Sequence, residues 1–182
     1  MAAVISMLRG VNLGSRRMKM DRLRSLYESL GLRSVQTYVQ SGNVVFQSAE
    51  RTLPKLAKRI EDAIEKEFGF QSAVILRTGS EMRDVVARNP FEGRADVHPG
   101  KLLVWFLSGD PGEEARARVR AVPAEPEELH IDGRELYIYF PNGQARPKLS
   151  MTACERALKI PGTGRNWNTV VKLLEMAEGL GS

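Results

Sequence analysis

Three short stretches of this chain gather the residue types that recognise anions. RGVNLGSRR (9–17) offers Arg9 and Asn12 around two glycines, PNGQARPK (141–148) offers Asn142, Arg146 and Lys148, and GRNWN (164–168) offers Arg165 and Asn168. A guanidinium binds phosphate or carboxylate in a bidentate fork, an asparagine amide orients the bound group, and glycine leaves backbone N–H groups approachable. A fourth polar element, Asn43 in the turn SGN (41–43), completes the set. The site expected from these clusters is a cleft between two subdomains, where element ends converge on a small phosphate- or carboxylate-bearing ligand.

Each stretch also has a purely structural reading. Gly10 and Gly14 serve a tight strand-to-helix loop, and their spacing matches neither the dinucleotide fingerprint nor the P-loop. Pro141-Asn142-Gly143 is a turn signal, and Ser41–Asn43 is a hairpin turn. In the last stretch Asn166 reads as an N-cap, and Trp167, Val170, Val171 and Leu174 as a helical core stripe. Arg165 precedes a helix N-terminus, whose dipole disfavours a cation, so it requires an acidic side chain, a carbonyl or a bound anion as partner.

Other chemistries have less support. His98 and His130 lie in a loop and a strand with no second ligand at metal spacing, so no metal and no cofactor are expected. Cys154 sits on the Leu158 side of a helix, where a buried inert thiol is the ordinary case. No general base stands out, which leaves enzymatic activity open. The net charge of +5 is carried by residues 1–34, with Arg9, Arg16, Arg17, Lys19, Arg22, Arg24 and Arg33 against Asp21 and Glu28. Nucleic-acid binding through this basic loop and helix is therefore an alternative. A base-stacking platform is lacking, because the third strand has Phe46 as its single aromatic and the first strand has none.

The 182 residues are 42% hydrophobic and 27% charged, enough for one large or two small packed domains. The longest apolar run, near Leu102–Leu107, is too short for a membrane span, and Arg9 interrupts the first apolar stretch too early for a signal peptide. With a single cysteine, these features predict a soluble, cytoplasmic chain with no membrane partner.

The elements that must position the clusters follow from periodicity. Residues 3–10 read as a buried strand. A helix opens at Asp21 with Leu23, Leu26, Tyr27 and Leu30 on one face and stops at Gly31. Ser34–Ser48 reads as a hairpin, Thr52 to Gly69 as a helix capped by Thr52 with Pro54 in its first turn, and Ser72–Gly79 as a strand. This β-α-β-β-α-β order is the ferredoxin-like plait. After a short helix opened by Ser80 and the Pro/Gly-rich connector 89–100, the pattern restarts as β-α-β-β-α-α, with Asp132-Gly133 as a hairpin dipeptide. The expected architecture is α+β: two ferredoxin-like subdomains, antiparallel sheets with helices on one face, the second with a C-terminal helix in place of its last strand. The boundaries are 1–80, a connector at 81–100, and 101–182.

Taken together, LRGVNLG, LGLRSVQTYVQSGNVVF, NPF, YFPNGQARPKLS and TGRNWNTVVKL resemble the bacterial family catalogued as domain of unknown function 1697, in order over nearly the whole chain. The resemblance implies two ferredoxin-like subdomains and no assigned activity, cofactor or catalytic residue. Besides anion binding and nucleic-acid binding, a third reading stays open: a structural or interaction protein that homodimerises through a sheet face or through the strand edge left by the missing fourth strand.

Overall fold

The computed structural model describes residues 1–39 and 41–181. The chain forms two units, Met1–Asp84 together with Lys172–Ser182, and Val85–Val171.

In the first unit the order is β1 (Ala2–Leu8), α1 (Met20–Ser29), β2 (Arg33–Tyr38), β3 (Asn43–Ser48), α2 (Leu53–Phe68) and β4 (Val74–Thr78). The strands pair antiparallel in the order β2-β3-β1-β4. Alternation places Val4, Leu8, Val44, Phe46 and Leu76 in one core with Leu23, Tyr27, Leu56 and Ile60 from the helices. The Ser6 and Tyr27 hydroxyls hydrogen-bond to each other inside it at 2.7 Å. Gly69 ends α2 in the left-handed region. Thr52 precedes α2 without a side-chain cap; instead its own N–H donates to Glu50 Oε1.

The next helix, α3 (Gly79–Ala87), is opened by Thr78 rather than Ser80. Thr78 Oγ1 accepts the Glu81 N–H at 3.0 Å, and Glu81 Oε2 accepts the Thr78 N–H at 2.8 Å. This reciprocal capping box satisfies two donors, which a serine two residues later cannot do.

The second unit contains β5 (Leu102–Leu107), α4 (Glu113–Arg120), β6 (Glu128–Asp132), β7 (Glu135–Tyr139), α5 (Met151–Leu158) and β8 (Gly162–Asn166). Its antiparallel order is β6-β7-β5-β8. The expected replacement of the fourth strand by a helix is thus corrected: β8 is that strand, and the final helix, α6 (Trp167–Gly179), follows it. The sequence Gly-Thr-Gly-Arg-Asn hides a strand because glycine and asparagine are poor strand formers. Here glycine is required by packing. A Cβ on Gly162 would lie 2.1 Å from Trp105 Nε1, and one on Gly164 3.0 Å from Trp105 Cε3. The unfilled edge invoked for homodimerisation does not exist in that form.

The connector is pinned within the second unit. Phe91 is buried against His130 and Tyr139, Arg94 stacks on Phe91 and pairs with Asp96 and Glu128, and the Tyr139 hydroxyl donates to Asp96 O at 3.0 Å. The C-terminal half of α6 belongs to the first unit, where Gln47 Nε2 donates to Leu180 O and Arg83 pairs with Glu178. Residues 172–181, expected in the second subdomain, thus group with the first unit. The buried line of α6 is Val170, Leu173 and Ala177, while Val171 is exposed and Trp167 half-buried. Among the described residues no helix is long and apolar enough to cross a membrane.

Candidate functional site

Four basic residues of the first unit, Arg9, Arg16, Arg17 and Lys19, lie where β1 hands over to α1. The backbone of Arg9 is clamped, its N–H donating to Ala73 O at 3.0 Å and its carbonyl accepting Ser72 Oγ at 2.8 Å. The chain then takes three left-handed residues within five positions: Gly10, Asn12 and Gly14, at φ of 66°, 57° and 56°. Asn12 holds this loop, donating its N–H to Arg16 O at 2.6 Å and accepting the Met18 N–H on Oδ1 at 2.9 Å. Asparagine tolerates this backbone where most residues do not. Arg17 folds back onto Gly14 O, Arg16 lies over the Phe70 ring, and Arg22 pairs with Glu67 and stacks on Phe68.

Lys19 stands at the N-cap of α1 and gives the helix no side-chain cap. Between Arg9 and Met20 there is no acidic residue. A hollow of about 730 Å³ opens here, lined by Asn12, Arg17, Lys19, Asp21 and Arg22 among others. Its chemistry is that of cations and first-turn N–H groups, with the carboxylate of Asp21 as the one opposing charge among its lining residues.

Asn43 is fully buried in β3, and its Nδ2 donates to Tyr38 O at 3.0 Å and Ser41 Oγ at 2.9 Å. It braces the β2–β3 turn. Gly42 in that turn has φ of 79°, and a Cβ there would meet Val11 at 2.7 Å.

The other five expected residues belong to the second unit. Asn142, Arg146 and Lys148 are exposed on the loop after β7. The backbone amides that follow them are engaged internally. Glu127, buried at 3% exposure, accepts the N–H groups of Lys148 at 2.5 Å and Leu149 at 2.9 Å on one carboxylate oxygen, and Ser150 Oγ accepts the Ala153 N–H to cap α5. A protein carboxylate thus occupies the position an incoming anion would take.

Arg165 lies on β8 opposite Val104, buried at 6% exposure. Its Nη1 donates to Thr163 Oγ1 and to Gly164 O, each at 2.8 Å, and burial pulls its pKa down to about 10. Of the partners its position required, carbonyl and hydroxyl oxygens are supplied locally. Asn166 Oδ1 accepts the N–H of Asn168 at 3.0 Å, the capping role its sequence position predicts, and Asn166 Nδ2 donates to Gly100 O at 2.9 Å. Asn168 is exposed in the first turn of α6. Lys101 Nζ donates to Pro141 O at 3.0 Å, so the turn Pro99–Lys101 adjoins both the Asn166 end of β8 and the start of the 141–148 loop.

One buried cation escaped the sequence reading. Arg77 on β4 lies opposite Ile5 with 1% exposure, and its Nη1 donates to Leu76 O at 2.9 Å. Arg165 does the same to the carbonyl before it, from the same next-to-last position of its own fourth strand. The detectable signal was an arginine directly after the apolar run Val74-Ile75-Leu76 and within the same strand, set against the matching order of elements in the two halves.

Among the described residues no group of three or more His, Cys, Asp and Glu side chains is placed to hold a metal ion. His98 Nδ1 accepts the Gly100 N–H, and His130 packs edge-on to Phe91. Cys154 is buried, and desolvation pushes its thiol up to about 11.

Among solved structures, the chain is similar to the conserved bacterial protein SP0830 from Streptococcus pneumoniae, at 22% identity and a TM-score of 0.76, over 98% of this chain and 99% of that one. That likeness concerns the fold alone. A second structure, protein BT0572 from Bacteroides thetaiotaomicron, aligns over 90% of this chain and 92% of its own at 11% identity, with a TM-score of 0.24 that bears no weight. No curated protein matches the chain. Residues 1–137, three quarters of the sequence and including the whole basic loop, match the family described as protein of unknown function DUF1697, and the chain belongs to that family.

Proposed function

We propose that this protein binds a small phosphate-bearing ligand at the head of α1, with the Asn12 loop shaping the site and Arg17 and Lys19 supplying charge. The observation that carries this reading is the acid-free basic approach, Arg9 to Met20, leading into an uncapped first turn beside an open hollow. First-turn N–H groups and lysine or arginine cations are complementary to phosphate oxygens. The Asn142–Lys148 loop is a weaker choice, since Glu127 already satisfies its neighbouring amides.

Nucleic-acid binding is less well supported. The outer faces of α1 and α2 carry mixed charge in pairs such as Arg22–Glu67, Arg24–Glu28 and Lys58–Asp62, which offers no continuous track for a phosphodiester backbone.

Calorimetric titration with pyrophosphate and with adenosine monophosphate at low salt tests the proposal. Removing one charge-assisted contact costs about 1.5–3 kcal/mol, so Lys19→Ala is expected to weaken binding at least roughly tenfold. Arg146→Ala is expected to leave it unchanged. Absence of binding by the unaltered protein, or equal loss in both variants, overturns the assignment.

A further inference from the structure

We draw no further inference here: the strongest candidate, the hollow of about 250 Å³ in the first unit floored by Ala2, Ala3, Gly79 and Ala177 and rimmed by Arg83 and Glu178, carries nothing, because its two charged residues are paired with each other and nothing in the structure shows what covers its apolar floor.

Discussion

Gly162→Ala is the sharpest test of how the second sheet closes. A methyl group at this position would lie 2.1, 2.7 and 2.9 Å from Nε1, Cε2 and Cδ1 of Trp105. Ordinary carbon contacts are about 3.5–4.0 Å, so the indole edge must retreat by roughly 1.5 Å. It has little room, because Trp105 packs against the core of Leu107, Leu136, Ile138 and Cys154. Overpacking costs about 1–3 kcal/mol, and a clash with three ring atoms belongs at the upper end. For a chain of this length about 3 kcal/mol lowers the melting temperature by roughly 6–12 °C. Urea unfolding followed by circular dichroism reads the loss directly. Trp105→Leu removes the obstructing ring at its own cost, and adding Gly162→Ala in that background is expected to cost about 1 kcal/mol or less. The two changes should therefore couple by more than about 1 kcal/mol. A Gly162→Ala protein within about 0.5 kcal/mol of the parent, or strict additivity of the pair, refutes the packing argument.

Val39 is a β-branched residue held at φ of 51° and half exposed, a conformation that costs on the order of 1–3 kcal/mol. Val39→Asn, which relieves the strain and forfeits little packing, is expected to raise stability by about 1 kcal/mol in thermal unfolding. Glu127→Ala leaves the amides of Lys148 and Leu149 without their acceptor and is expected to cost about 2–3 kcal/mol in urea titration, with Glu127→Gln recovering most of it. The Cys154 thiol, raised to about 11 from a reference of 9.0, favours the protonated form in the folded state. Its contribution to stability is complete below about pH 9 and is lost as pH rises toward 11. Iodoacetamide at pH 8 should accordingly modify the native protein far more slowly than the urea-unfolded chain, and equal rates would contradict the burial.

The elements that were legible are those whose burial has a single period. Leu23 and Tyr27, Leu56, Ile60 and Ile64, and the run Leu102–Leu107 announce their helices and strand because one face of each is uniformly apolar. β8 was not legible. Its register is enforced by Trp105, nearly sixty residues earlier, and Thr163, Gly164 and Arg165 show no alternation that reveals a strand. The same cause moved the α6 stripe. Tertiary contact selects Val170, Leu173 and Ala177, whereas local spacing alone cannot distinguish that line from one through Val171 and Leu174.

The candidate site divides on a similar principle. Residue type identified Asn12, Asn43, Arg165 and Asn168 as polar groups at element ends, but a polar group at an element end faces two demands, backbone satisfaction and ligand contact. Asn12 and Asn43 answer the first, each closing a turn. Arg165 is committed to oxygens of its own strand. In the second unit the amides of Lys148 and Leu149, just before α5, are met by Glu127, and Ser150 at the N-cap of α5 accepts the Ala153 N–H. In the first unit the helix start that follows the basic loop receives no such cap, and the side chain at its N-cap is Lys19, which can only donate. The proposal of an anion beside α1 rather than α5 rests on that difference between the two helix starts. Restoring an internal acceptor through Lys19→Asp would cap α1 and, by the same reasoning, abolish phosphate binding while stabilising the fold.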